Sequence, residues 1–317
     1  MSRPRTSPLP QRHGLDAVRC VVPPSTPPRT AEAHLLERYP ALASPGATSL
    51  LARFAAGEVV RSDGTPWQAE DLVHPHDVLW FHRELAPEQV DPVELPVLLH
   101  DEHLLVIDKP HGIATMPRGR FVRSSALVRL RCATGITTLT PLHRLDRLTA
   151  GVLAFGIRPQ ERSAYQQMFA RGEVRKEYRA WVQAGEDARI PREPGAQMLL
   201  EDHLLKPRGS LQVQVGDGPV NARTHLEVLQ VDTQTESGRL LLRLQPETGR
   251  THQLRVQLAS RGAPILGDDL YPQLRGAQGE DATAASVPLQ LLASRVEFTD
   301  PVTGQRRCLR SARRLVP

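Results

Sequence analysis

Apolar and polar positions alternate with two different spacings along this chain. Over TAEAHLLERYP the apolar positions recur at helical spacing, with Thr30 as N-cap and Pro40 as stop. ATSLLARFAAG repeats the pattern and ends at Gly57, a C-cap residue. GEVVRSDGTP and DVLWFHREL then read as short β-runs, with a turn at Asp63-Gly64. Beyond residue 100 the pattern is mostly β. The runs HLLVIDKP (103–110), GVLAFGI (151–157), KEYRAWVQAG (176–185), LQVQVG (211–216), RTHLEVLQVD (223–232) and GRLLLRLQ (238–245) are rich in Val, Leu and Ile and bounded by turn residues. Two helical stretches interrupt them, at 159–172 and 250–262. SRVEFTDPVTGQRRCLRS closes the chain as a hairpin turning at Asp300-Pro301 and Gly304. Short turns between most strands predict an α+β domain around a mixed, largely antiparallel sheet.

The organisation that follows is an irregular Pro- and Arg-rich arm over 1–30, which could be ordered against the body near Ala17–Val22, and a small module over 31–90. A large domain fills 91–317, entered through the Pro-rich linker Glu84–Leu98. Residues 272–286 read as a surface loop, and no internal repeat is present. The helix–helix–strand–turn–strand order of 31–90 resembles an RNA-binding module of the ribosomal protein S4 type. That family's basic helix is poorly represented, since Arg53 is the only base between Tyr39 and Gly57. A small packing module without RNA contact fits the same residues.

Composition narrows the function. No apolar run reaches the ~18 residues of a membrane span, and the N-terminus lacks the apolar core of a secretory signal. Cys20, Cys132 and Cys308 are odd in number and far apart, so neither a disulfide framework nor a thiolate metal cluster is expected. These features predict a cytoplasmic protein with no membrane contact. The net charge of +5 suits a polyanionic partner. Only Lys109, Lys176 and Lys206 are lysines among 40 basic residues, so the arginine bias equally fits a GC-rich genome. Two acid-free clusters stand out, Arg118, Arg120, Arg123, Arg129 and Arg131, and Arg306, Arg307, Arg310, Arg313 and Arg314. Both could bind phosphates, and both could be solvated faces. His74, His76 and His82 lack the acids or thiols that would complete a metal site.

The chemistry centres on Pro141-Leu142-His143-Arg144-Leu145-Asp146-Arg147-Leu148-Thr149-Ala150-Gly151. An acid between two arginines, just before a buried strand, is held as a carboxylate and could serve as nucleophile or base. A surface salt bridge fits that stretch as well. Two further stretches add to it: Lys176-Glu177-Tyr178-Arg179-Ala180, and Thr248-Gly249-Arg250-Thr251-His252-Gln253-Leu254-Arg255 followed by Pro264-Ile265-Leu266-Gly267-Asp268-Asp269-Leu270-Tyr271. With the opening Leu105-Val106-Ile107-Asp108-Lys109-Pro110-His111-Gly112, these resemble, in order, the motifs of the RluA family of RNA pseudouridine synthases.

That resemblance implies isomerisation of specific uridines in structured RNA, ribosomal or transfer, to pseudouridine. It implies Asp146 as the catalytic carboxylate, Arg255 as its cationic partner and Tyr178 as the residue that stacks on the extracted base. Arg144 would enter the RNA where the base was, with Arg147, His143, Arg250 and His252 beside it in RNA binding and base flipping. His143 and Thr149 would also shape the loop. Thr251, Leu254 and Leu258 would share the apolar face of the helix that carries Arg255, while Asp268 and Asp269 read as turn and structural residues. No cofactor and no metal is implied, nor an obligate protein partner, and a monomer is expected. The sequence departs from the family pattern at Ala150, which removes a hydroxyl from the loop, and at Gln257 and Pro272, which bear on local packing and RNA fit. Two alternatives are a non-catalytic RNA-binding or ribosome-assembly protein on the same fold, and a different carboxylate enzyme acting on nucleosides or glycosides. The latter lacks an evident second acid.

Overall fold

The computed structural model describes residues 7–85, 87–90, 92–232, 238–272 and 287–316. The surface loop expected at 272–286 lies, after Pro272, outside the described residues. The chain forms two units. One holds the residues up to Val90 together with Pro117–Ser124 and Val128–Thr137, and the other holds the rest.

In the first unit, β1 (Val18–Val21) pairs antiparallel with β2 (Val78–Phe81). β1 lies in the part of the arm, Ala17–Val22, where the sequence allows order against the body, and the pairing joins it to this module. α1 (Ala31–Arg38) starts where expected, with the Thr30 hydroxyl accepting the Ala33 N–H at 3.2 Å. α2 (Leu50–Ala55) ends before Gly57, which has φ +68°. The GEVV run forms only bridges, Val60 to Trp80 and to Pro66, closed around Asp63-Gly64 by the Thr65 N–H donating to the Asp63 carboxylate. Cys20, Leu35, Phe54, Val59, Trp67, Leu79 and Phe81 form the unit's core. Arg53, the one base of the expected RNA-binding helix, is buried beside Glu58 and Glu84 and donates to the His82 carbonyl. Its charge is spent inside the module.

The second unit is built on an eleven-stranded sheet. Its strands are β3 (Val97–His100), β4 (Leu104–Lys109), β5 (Thr140–Pro141), β6 (Ala150–Gly156), β7 (Arg175–Gln183), β8 (Gln197–Leu205), β9 (Gln214–Gly216), β10 (Ala222–Val231), β11 (Arg239–Pro246), β12 (Leu291–Thr299) and β13 (Arg306–Arg310). The order is β3-β4-β6-β12-β7-β11-β10-β8-β9, with β5 on β6 and β13 on β12. Every pairing is antiparallel except β6 with β12. The expected mixed, largely antiparallel α+β architecture is thus present.

α4 (Arg162–Ala170) and α5 (Gln253–Ala259) are the expected helices, each shorter than its sequence pattern. α5 begins at Gln253 because His252 sits in the left-handed region at φ +53°. Leu254 and Leu258 pack α5 onto Val182, Leu226, Leu240, Leu242 and Leu244 of the sheet, whereas Thr251 precedes the helix and is exposed. Each such buried leucine contributes roughly 1.5–3 kcal/mol. α3 (Ala126–Thr134), divided between the two units, and β8 are not evident in the pattern. Apolar and arginine positions in Leu127-Val128-Arg129-Leu130-Arg131 alternate nearly as in a strand, which masks the helix.

The parallel pair brings two loops into one place. Gly151 on β6 pairs with Ala293 on β12 and has φ +113°, and a Cβ there would lie 2.2 Å from the Ala293 carbonyl oxygen. Only glycine permits that approach. It seats β12 in the centre of the sheet, beside the strand that follows the Asp146 loop.

Candidate active site

The Asp146 loop is clamped from beneath by the segment 109–115. Lys109 is fully buried, and its ammonium donates to the carbonyls of Pro110 at 3.0 Å, Ile113 at 2.8 Å and Arg147 at 3.1 Å. Three carbonyls use all three N–H donors of an ammonium group. Burial pushes its pKa down to about 7, against the opposing pull of the Asp146 charge. His111 donates through Nδ1 to the Leu148 carbonyl at 2.6 Å. The Thr115 hydroxyl donates to the Leu145 carbonyl and accepts the Leu145 N–H, at 2.8 and 3.1 Å. The Thr149 N–H closes the turn on the Asp146 carbonyl. Lys109, His111 and Thr115 are absent from the residues singled out for chemistry; the Asp-Lys-Pro-x-Gly run signals Lys109 and His111, and nothing local signals Thr115. Asp108 of that run anchors the end of the chain, accepting from Ser311 Oγ and the Ala312 N–H.

His143 is also part of the support. It stacks on Phe169 with centroids 5.0 Å apart and accepts the Ala154 N–H through Nε2 at 3.2 Å. Burial, with the nearby Lys176 charge, pushes its pKa down to about 3. It is neutral at pH 7, held within the loop.

On this platform Asp146 stays partly exposed, at 35% of its side chain. Two groups from elsewhere in the chain approach it: the Arg255 guanidinium, with Nη1 3.7 Å from Oδ2, and the His252 imidazole, with Nε2 4.0 Å from Oδ1. Arg144, adjacent in sequence, is exposed, and Arg147 is half-buried.

Arg255 is buried and belongs mainly to two other carboxylates. Nε and Nη2 grip Asp268 at 2.8 and 2.6 Å, and Nη2 also reaches Asp269 at 2.8 Å. Burial opposes its charge, but Asp268, Asp146 and Asp269 outweigh that and hold its pKa above the ordinary arginine value. Asp268 and Asp269, read from sequence as turn and structural residues, act structurally as the clamp on the guanidinium. Asp268 also accepts the N–H groups of Leu270 and Tyr271, which fixes it in turn.

His252 bonds through Nδ1 to the Tyr271 hydroxyl at 3.1 Å, and that hydroxyl accepts the Val213 N–H at 2.7 Å. The hydroxyl then donates to Nδ1, and the imidazole carries its proton on Nε2, facing Asp146. Burial lowers the His252 pKa, which keeps the ring neutral.

Tyr178, on β7, is half-buried against the core beneath α5 together with Leu148. Burial and the Asp146 charge both raise its pKa, so the phenol stays protonated at neutral pH. Arg250 is exposed, with Nε donating to the Asn221 carbonyl at 3.1 Å. The chain thus places Asp146, Tyr178, Arg255 and His252 together, with Arg144 and Arg250 exposed and His143 folded into the support.

The basic clusters are less available than the sequence suggests. Arg131 pairs with Asp16, Arg306 with Glu297, Arg307 with Asp101, and Arg313 with Asp108. Arg118, Arg120 and Arg123 are exposed. Among the described residues no three His, Cys, Asp or Glu side chains are grouped as a metal site, and no helix is long and apolar enough to cross a membrane. Gln257, a departure from the family pattern, is buried and bridges Thr224 to Asp202.

Comparisons with known proteins converge on one activity. Residues 103–260 match the sequence family described as RNA pseudouridylate synthase. The dual-specificity RNA pseudouridine synthase RluA of Yersinia pestis is 30% identical over 210 residues, covering 66% of this chain and 94% of that protein. The ribosomal large subunit pseudouridine synthase D of Xanthomonas campestris pv. campestris is 29% identical over 305 residues, covering 90% of this chain and 86% of that protein. Among solved structures, human RNA pseudouridylate synthase domain containing 1 aligns with a TM-score of 0.53 at 19% identity, over 71% of this chain and 85% of that one. This last likeness is one of fold.

Proposed function

Because the chain belongs to the RluA family of RNA pseudouridine synthases, we infer that its conversion of uridine to pseudouridine in RNA runs through Asp146, Tyr178 and Arg255. The N1–C1′ bond of the target uridine breaks, the uracil turns while held, and a C5–C1′ bond forms. C5 loses its proton and N1 gains one, so atoms and electrons balance without an oxidant or a reductant. The observation that carries this reading is the Asp146 carboxylate, clamped from below and facing Arg255 at 3.7 Å while 35% of its side chain remains open to a substrate.

The residues divide the work. Asp146 attacks C1′ or draws off the sugar proton whose loss releases the base. Arg255, fixed by Asp268 and Asp269, keeps a positive charge beside it as burial by the RNA removes water. Tyr178 offers its ring to the uracil, since a protonated phenol is a weak base at neutral pH. Arg144, exposed on the same loop, enters the gap left by the flipped nucleotide, whose extraction costs a few kcal/mol. The target is a ribosomal or transfer RNA, recognised by shape around a splayed nucleotide. The protein acts as a monomer.

Mapping pseudouridine in total RNA from cells with and without the gene tests the assignment. One or a few sites vanish in the deletion, and the purified protein restores them on RNA from those cells. Identical maps, with no tritium released from C5-labelled RNA by the purified protein, would refute it.

A further inference from the structure

We propose that Lys176 is an RNA-binding residue of this enzyme, holding a backbone phosphate next to the extracted uridine. Three observations converge on it. Side chains alternate along β7, so Lys176 shares a sheet face with Tyr178, Ala180 and Val182, while Arg175, Glu177 and Arg179 face the other way. Ala180 and Val182 are buried in the core, Tyr178 sits at its edge, and Lys176 continues the row toward the strand's start. Lys176 is thus about 6.6 Å along the strand from the residue that stacks on the uracil.

Two loops of the site approach the Lys176 ammonium. A Cβ on Gly249 would meet its nitrogen at 3.7 Å, and its charge is felt by His143 in the Asp146 loop. Gly249 brings no side chain to cover it. The 246–252 loop is held in place by Gln253, whose amide accepts from the Thr248 hydroxyl at 2.8 Å and the Arg250 N–H at 3.0 Å.

The third observation is the charge itself. Lys176 is half-buried, yet it has no hydrogen bond or ion pair among the described residues. The other two lysines are engaged: Lys109 binds three carbonyls, and Lys206 donates to the Leu211 carbonyl. Burial lowers the Lys176 pKa with no compensating partner. A half-desolvated cation without a partner is costly unless a ligand completes it. The anion this substrate carries one sugar away from every base is phosphate. A compact ammonium suits a single phosphate oxygen, and its sequence-independent contact fixes register rather than reading a base.

The inference rests on the RNA-modifying reading, and its test separates the two. The probe is a synthetic RNA hairpin carrying a uridine that the enzyme modifies. The linkages on either side of that uridine are replaced one at a time by neutral methylphosphonate. With wild-type enzyme, one replacement weakens binding roughly tenfold or more. Lys176→Gln shows a similar loss on the all-phosphate hairpin, expressed in KM rather than kcat. It shows no additional loss at that one linkage, and the slope of affinity against salt falls by about one phosphate contact. Lys176→Arg recovers most of the affinity. Thermal unfolding of Lys176→Gln stays at or above the wild-type midpoint, because an unpaired buried charge is removed. Equal methylphosphonate penalties in wild type and Lys176→Gln at every linkage would overturn the proposal, as would a loss confined to kcat. Failure of the wild type to modify any hairpin or cellular RNA would instead overturn the functional reading.

Discussion

Arg255 stands 3.7 Å from Asp146 without closing a hydrogen bond on it, because its Nε and Nη2 are already committed to Asp268 and Asp269. The guanidinium is therefore a fixed positive charge rather than a mobile partner. Its positive charge faces Asp146 from a fixed position, while 35% of the Asp146 side chain stays open to a substrate. An Arg255 swung onto Asp146 in a bidentate pair would block the group it serves.

Asp146→Asn removes the charge and keeps the shape. Turnover should fall by at least about 10³-fold, in line with the loss of a central catalytic group, while RNA affinity by filter binding stays within about twofold. Ordinary turnover by this variant, followed by tritium release from C5-labelled uridine, would remove Asp146 from the mechanism.

Asp268→Asn tests the clamp. Breaking a buried pair costs roughly 3–5 kcal/mol, read as a lower midpoint in urea denaturation. The freed Arg255 closes on Asp146, so the residual folded enzyme loses kcat more than RNA affinity. A variant with wild-type stability and wild-type kcat would show that Asp268 holds nothing.

The His143 imidazole gives the fold a dependence on acid. Its pKa is about 3 in the folded chain, pushed down by burial and by Lys176, against an ordinary 6.5. Between those values the unfolded chain binds a proton that the folded chain refuses. Stability from this group is therefore complete above pH 6.5 and is lost as pH falls toward about 3, with a slope of up to ~1.4 kcal/mol per pH unit. His143→Gln keeps an acceptor for the Ala154 N–H but does not titrate there. Denaturation series from pH 7 to pH 4 should give a shallower decline for the variant, and parallel curves would refute the assignment.

Gly151→Ala should be among the most damaging single-methyl changes available. The added Cβ would lie 2.2 Å from the Ala293 carbonyl oxygen, at a φ of +113° that other residues avoid. A loss of more than about 4 kcal/mol, or failure to fold, is expected. Differential scanning calorimetry decides it, and a shift of a few degrees or less would mean that the β6–β12 pairing yields easily.

The sequence alone determined the kind of fold and pointed to the candidate residues of the site. Strand runs with short turns specified an antiparallel-rich sheet, because alternation is a local property written into each strand. Asp146, Tyr178 and Arg255 were legible because their neighbours form recognisable motifs. The elements that escaped are β3, whose start falls in the stretch read as a linker, the two-residue β5, and β8 and α3, whose local pattern is mixed. Tertiary structure decided which charges meet. Arg144 and Arg147 flank Asp146 in the chain, yet Arg255, over a hundred positions on, stands 3.7 Å from its carboxylate with the His252 ring beside it. Asp268 and Asp269, read as turn and structural residues, turn out to clamp Arg255, and several arginines of the two acid-free clusters are paired with Asp16, Asp101, Asp108 and Glu297. The reason is range: a periodicity is read within a few residues, whereas an ion pair depends on which strands lie side by side. Here β12, from the end of the chain, enters the centre of the sheet beside Gly151, and no local pattern records that insertion.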